Sequence, residues 1–410
     1  MPDDPDRKTE YKPRLLYTNV TTDNPSLSEA EAVANFVMAT KGRDILTLNF
    51  DVGGSTTDIS ALFNLRNQDI TMIKQNSIRF AAQRVSEAVG HFPNFKNVLN
   101  QIASKYDLRI VGLNYGIDSY NEQTAPYFFN QMVNRLDDNQ LVELYRSIVS
   151  NCPGLMCVNL YVTGLLMFYA GQIANKLVDD LKRTSEEEWP AKQRPLVRIT
   201  FAGKGSRLFQ WLQVVNPEAA RYYYVNAFVL GYGEEELKAN LQNWPEIILP
   251  AIGNKDIKYE VSKGLAKGDT DLYKPDVNTP SEIIGENGFA VLGEDNKWRE
   301  VSFINSLTPE MIGMIGIKFQ RQPGANRESK FRQFCEFFYS AAVQLFQWDA
   351  NPNLLAKACD ELDVTGYVQS MEEFRQAERE SRAGKPFSFV APLIILEGMK
   401  FYEENLMKLL

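Results

Sequence analysis

The sequence predicts an α/β fold: a mixed sheet flanked by helices, followed by a mainly helical C-terminal region. Three observations predict it. Two segments of alternating polarity, 44–52 and 57–65, are separated by a short glycine turn and read as paired strands. From about 79 to 185 helical periodicity dominates, then gives way to a β-rich segment at 195–203. Within residues 325–410 apolar side chains recur at three- and four-residue spacing, the signature of helices with one buried face.

Taken in order, residues 1–25 form a lead-in containing one short strand, "RLLYTNV". "SLSEAEAVANFVMAT" (26–40) is predicted as a helix, capped by Ser26 or Ser28 with acidic residues in its first turn. "DILTLNFDV" (44–52) places Leu46, Leu48, Phe50 and Val52 on one face of a strand; "TDISALFNL" (57–65) does the same with Ile59, Ala61, Phe63 and Leu65. "DITMIKQNSI" (69–78) is a candidate third strand. "PLVRITFAG" (195–203) is a short strand entering a glycine turn and then a helix, "SRLFQWLQVV"; "RYYYVNAFVLG" (221–231) reads as a further strand. Residues 268–330 are rich in Gly, Pro, Asn and Asp and are expected to be loops with small strands, ahead of the helices "SKFRQFCEFFYSAAVQLFQ" and "PLIILEGMKFYEENLMKLL". Domain limits are drawn at 26–285 for the α/β unit and 286–410 for the helical region.

Composition narrows the chemistry. The 410 residues suffice for about two to three domains. A net charge of -8, from 44 basic and 52 acidic residues, argues against nucleic acid as partner, which needs a basic footprint. His91 is the single histidine, which excludes sites needing two and points to a partly buried structural role. Cys152, Cys157, Cys335 and Cys359 lack paired metal spacing, and a reduced compartment is expected. The N-terminus has no apolar signal core, and the apolar run 160–174 is shorter than the roughly 20 residues of a membrane span. No membrane partner and a cytoplasmic location are therefore expected.

The stretch "DVGGSTTD" (51–58) is more elaborate than a hairpin requires. Gly53 and Gly54 are expected to adopt backbone angles closed to other residues and to leave room for a ligand. Backbone N–H groups from Gly54 to Thr57 can converge on an anion, with the Ser55, Thr56 and Thr57 hydroxyls as further donors. Asp51 can hold Mg²⁺ or its waters, and Asp58 can orient the loop or a water. A plain surface hairpin with a Gly-Gly turn is the simpler alternative.

"DVGGSTTDIS" resembles the second phosphate motif of the actin, sugar-kinase and heat-shock-chaperone ATPase superfamily. "SEAEAVANF" resembles that family's first connecting helix, with Glu29 on its glutamate. "ITFAGKGSRLFQWL" resembles the adenosine motif, which maps onto Ala202, Gly203, Lys204, Gly205, Ser206 and Arg207. "YEVSKGLAKG" (259–268) resembles the second connecting helix, with Gly264 and Ala266 as its small residues.

The resemblance implies a ribonuclease-H-like lobe binding ATP or ADP with Mg²⁺. Asp51 would act through the metal, Gly53 to Thr57 would hold phosphate, the 203–207 turn would hold adenosine, and Glu29 or Asp58 would place water. A complete member has a first lobe with its own "DxG" loop, which residues 1–25 do not supply; the expectation is a second lobe alone, needing that lobe or a partner protein for activity. Lys204 between the two glycines and an implied insertion around 215–255 depart from the pattern, and no adenine-clamping helix is identified. Lys204 and Arg207 also fit a plain exposed turn. The rival expectations are a non-enzymatic scaffold and a lobe of a small-molecule kinase.

Overall fold

The computed structural model describes residues 46–64, 71–108, 120–184, 197–233, 245–250, 272–273, 289–292, 298–301, 318–320, 330–348, 351–384 and 392–410. The lead-in, the expected helix at 26–40 with Glu29, and the segment 259–268 with Gly264 and Ala266 lie outside them.

The fold is α/β, built on a mixed six-stranded sheet. Its strands are β1 (Leu46–Val52), β2 (Thr57–Asn64), β3 (Thr71–Ile78), β4 (Val197–Ala202), β5 (Glu246–Ile247) and β6 (Leu272–Tyr273), in the order β5-β4-β1-β2-β3-β6. β1, β2 and β3 form an antiparallel meander; β4 lies parallel to β1, and β5 parallel to β4. The alternation expected of β1 holds, since Leu46, Leu48, Phe50 and Val52 are wholly buried. A second sheet of three short strands, β7 (Phe289–Leu292), β8 (Trp298–Val301) and β9 (Lys318–Gln320), falls in the loop-rich segment.

Between β3 and β4 run α1 (Gln83–Ala88), α2 (Phe95–Lys105), α3 (Ala125–Arg135), α4 (Asp138–Asn151) and α5 (Pro153–Thr184). α4 begins with a capping box: the Asp137 carboxylate accepts from the Gln140 N–H, while the Gln140 side chain accepts from the Asp137 N–H. α5 is long and apolar enough to cross a membrane by length and composition, beyond the run 160–174 picked out in the sequence. Of its most apolar window, 94% is buried inside the fold.

β4 is followed by α6 (Leu208–Val215) and α7 (Pro217–Tyr232). The strand expected at 221–231 is thus a helix. Asn216 caps it by accepting from the Ala219 N–H at 3.0 Å, Pro217 sits in its first turn, and Gly233 ends it in the left-handed region at φ 89°. Its aromatic run misleads because Ala220, Tyr223, Tyr224, Ala227 and Phe228 are buried at helical spacing, not at alternate positions. Tyr223 donates to the Leu160 carbonyl at 2.8 Å, which ties α7 to α5.

The helical C-terminal part comprises α8 (Lys330–Phe346), α9 (Pro352–Asp360), α10 (Thr365–Ser370), α11 (Glu372–Arg382), α12 (Leu393–Phe401), a π-helical turn Tyr402–Leu406, and α13 (Met407–Leu409). α8, α9, α12 and the π-helical turn share one hydrophobic cluster with the sheet and α5. Tyr161 of α5 stacks on Phe401 at 5.8 Å, meets Phe334 and Phe338, and donates to the Gly398 carbonyl at 2.9 Å. The four cysteines are buried free thiols. His91 is about half exposed, where a partly buried structural histidine was expected, and its Nδ1 lies 3.1 Å from Glu122.

Candidate functional site

The β1–β2 register sets the first half of the site. Residues of opposite parity to the apolar row (Thr47, Asn49 and Asp51) face the other side of the sheet, where the Thr200 hydroxyl donates to Asn49 Oδ1 at 3.0 Å. Asp51 stands directly across from Asp58 on β2 and beside Ala202 on β4. Two carboxylates directly opposed on neighbouring strands repel. A cation relieves that repulsion, and Mg²⁺ is commonly held through one or two carboxylates with water and phosphate completing its shell. Asp51 and Asp58 are thus the pair through which Mg²⁺ could be held alongside a phosphate ligand. Among the described residues no group of three or more His, Cys, Asp or Glu converges, so the site is not a closed protein cage.

The turn itself is compact. The Gly53 N–H donates to the Thr56 carbonyl at 2.9 Å, and the turn's own carbonyls are tied to the start of α1: the Gln83 N–H donates to the Gly54 carbonyl at 2.7 Å and the Ala82 N–H to the Gly53 carbonyl at 3.4 Å. Ser55 is exposed and Thr56 half-buried. Two expectations need correction. Neither Gly53 nor Gly54 lies in the left-handed region; the glycine at this site that does is Gly203, at φ 73°. Thr57 is wholly buried and its hydroxyl donates to the Phe80 carbonyl at 2.7 Å, because the alternation of β2 turns it away from Asp58 into the core. That proton is committed to the fold and is not available to a phosphate.

The second half arrives from β4. Gly203 leaves no space for a side chain, since a Cβ there would collide with the Asp51 carboxylate and the Val52 carbonyl. A Cβ on Gly205 would collide with the Val52 and Gly53 carbonyls and press on Ala82. The two glycines thus let the 203–207 turn lie directly against the 51–53 turn. Ser206 is buried and its hydroxyl donates to the Gly203 carbonyl at 2.7 Å, closing the 3₁₀ turn instead of facing outward. Ala202, the last residue of β4, is buried beside Asp51.

A cleft of about 600 Å³ opens where the two turns meet, within the range of small-molecule sites. Gly53, Gly54, Lys204, Gly205 and Arg207 form one side of it. Gln83, Ser86 and Glu87 of α1 and Pro126, Phe129, Asn130, Val133 and Asn134 of α3 also line it. Tyr145, Leu208 and Trp211 complete the apolar lining. Trp211 contacts Tyr145 at 5.3 Å and Phe129 edge-on at 5.9 Å. Burial pushes the Tyr145 phenol up to about 12 against a smaller opposing pull from Arg207, so it is neutral at physiological pH. Lys204 Nζ donates to Asn134 Oδ1 at 3.1 Å, and Arg207 pairs with Asp138 at 3.3 Å. Both cations thus tie the 203–207 turn to α3 and to the start of α4.

Of the residues expected from sequence, the structure brings Asp51, Gly53, Gly54, Lys204, Gly205 and Arg207 together. Asp58 lies beside Asp51, Gly203 packs beneath it, Thr57 and Ser206 serve the fold, and Glu29 lies outside the described residues. The α1, α3 and aromatic lining was missed. Its one sequence signal is the spacing 126, 129, 130, 133 and 134, a single helix face mixing apolar and carboxamide side chains.

No protein-family model matches the chain, and no curated protein matches it.

Proposed function

We propose that the chain is the ATP-binding lobe of a chaperone- or actin-like ATPase. The observation that carries this reading is the meeting of two glycine turns, distant in sequence, at one cleft: Gly203 and Gly205 pack against Asp51, Val52 and Gly53. The sheet supports the ribonuclease-H-like part of the reading, with an antiparallel meander β1-β2-β3 extended on the β1 side by parallel β4 and β5.

In this reading the phosphates lie at the Gly53–Thr56 turn, where Ser55 and Thr56 are accessible donors. The base lies towards the apolar end of the cleft, at Phe129, Tyr145 and Trp211. Asp51 and Asp58 hold the metal side of the phosphates. Mg²⁺, when bound, offsets charge on the β- and γ-phosphates. Lys204 and Arg207 sit between the two ends and counter the remaining negative charge. Glu29 and Asp58 are the candidates for placing water. This chain alone is expected to bind nucleotide weakly.

Titration calorimetry of the chain with Mg-ATP and Mg-ADP tests the reading, beside an Asp51→Asn/Thr56→Ala double variant. Saturable heat that the variant loses supports it. Absence of heat up to millimolar nucleotide in a folded sample contradicts it for the isolated chain.

A non-enzymatic scaffold is the second reading, and one observation favours it: Thr57, Gly203, Gly205 and Ser206 each have a packing or hydrogen-bonding role in the fold itself. Those residues would be retained without any ligand.

A further inference from the structure

The wall of the cleft formed by α1 is attached on its other side to the C-terminal helix. Arg84 Nη1 lies 3.0 Å from Glu403 Oε1 and 3.7 Å from Glu87 Oε2. Glu87 lines the cleft, where its Oε1 accepts from Gln83 Nε2 at 2.6 Å. Glu403 belongs to the π-helical turn Tyr402–Leu406. One guanidinium nitrogen is therefore shared between a carboxylate of the cleft and a carboxylate of the C-terminal segment.

Further contacts fix the same junction. The Tyr402 hydroxyl donates to the Arg84 carbonyl, and the Arg84 guanidinium sits 5.6 Å over the Tyr402 ring. The Tyr367 hydroxyl of α10 donates to Glu403 at 3.4 Å. Tyr402 is buried, and burial holds its phenol well above the usual range, so it remains a donor. A π-helical turn is uncommon and concentrates at functional positions. On the cleft side, α1 is tied to the glycine turn through the Gly53 and Gly54 carbonyls. A continuous chain of contacts thus runs from the turn, through α1, to residues 402–403.

We propose that Arg84 is a latch for which Glu87 and Glu403 compete, so that occupation of the cleft alters how firmly the C-terminal helix is held. The ligand-dependent half rests on the nucleotide-binding reading; the competition itself does not. Under that reading, a ligand in the cleft that engaged Glu87 would leave Arg84 to Glu403 and tighten residues 393–409. Coupling of this kind is reciprocal: a latch that responds to ligand also changes ligand affinity by the same factor.

Hydrogen–deuterium exchange over peptides spanning 393–409 in the full chain tests the latch. Without ligand, Glu403→Gln and Tyr402→Phe are expected to speed exchange there by about two- to five-fold, the size of a partly exposed pair or one hydrogen bond. Glu87→Gln is expected to slow it, because Glu403 then holds Arg84 without a rival. Unchanged or same-direction shifts in Glu87→Gln and Glu403→Gln overturn the latch, whatever the chain binds. With saturating Mg-ATP, slower exchange in the unmodified chain, lost in Glu403→Gln, supports the ligand-dependent half. Mg-ATP binding by calorimetry with no change at 393–409 overturns that half and leaves nucleotide binding intact. Opposite shifts in the two ligand-free variants without any nucleotide binding sustain the latch and reject the nucleotide reading.

Discussion

Alanine at Gly205 and alanine at Gly54 form a matched pair that separates packing from mere composition of the glycine turns. At 205 the new Cβ would stand 2.6 Å from the Val52 carbonyl oxygen and 3.0 Å from the Ala82 Cβ, with the Gly53 carbonyl also in its way. The two carbonyls belong to the backbone of β1 and its turn, so the 203–207 segment itself has to retreat. Overpacking of this sort costs about 1–3 kcal/mol. The retreat also separates the two turns that line the cleft. If that cost falls on the bound geometry of the proposed site, Mg-ATP affinity drops about 5- to 140-fold, since 1.4 kcal/mol is a factor of ten. At 54 nothing lies within 4 Å of the added Cβ and the backbone is not left-handed. Gly54→Ala should therefore stay within about 0.5 kcal/mol of the parent in stability. Denaturant midpoints, exchange over 46–56 and 197–207, and a Mg-ATP titration read both variants. The packing argument is refuted if Gly205→Ala matches the parent in all three, or if Gly54→Ala is as damaging as Gly205→Ala.

Three other outcomes are expected. Thr57→Val keeps the β-branched shape but strands the Phe80 carbonyl, and should lower stability by about 1–3 kcal/mol in chemical denaturation; an unchanged midpoint would show that the bond contributes nothing net. Gly233→Ala forces a side chain into the left-handed cap of α7, at φ 89°, and should cost about 1 kcal/mol, read as earlier melting. Stability should also fall in alkali. Burial raises Cys152 from 9.0 to about 11, Cys157 to about 12, and Tyr145 from 10.0 to about 12. Groups raised in the folded state contribute fully below their unfolded values and lose that contribution as pH climbs through the folded ones. From these groups, thermal melts should hold steady up to about pH 9 and drop between about pH 9 and 12; a melt temperature constant across that window would contradict the burial.

Where sequence reasoning worked, the physics was local. Strict alternation at 46, 48, 50 and 52 marked β1, and the short polar turn before Thr57 marked its hairpin with β2. The helix 208–215 followed from its amphipathic run after the glycine turn. At 221–231 the aromatic and β-branched composition outweighed end signals that were equally present, Asn216-Pro217 before and Gly233 after. Those caps, not the composition, decide the segment. Thr57 could be assigned to the phosphate turn from its neighbours alone, but its side-chain direction follows from strand parity. Counting from Asp51 through the register gives Asp58 on the same face and Thr57 on the other. The α3 lining was illegible for a different reason: Phe129, Val133 and Asn134 meet the glycine turns only through the packing of α3 and α4 against α6. The same holds for Arg84 and Glu403, far apart in the chain and joined only in the fold.

A crystal structure of the chain grown with Mg-ATP or Mg-ADP tests nucleotide binding at the joined turns most directly. The expected density has phosphates against Gly53–Thr56, metal beside Asp51, and the base between the 203–207 turn and the Phe129–Trp211 side of the cleft. Nucleotide bound elsewhere on the surface, or a clear map of the cleft without nucleotide at millimolar concentration, would contradict it.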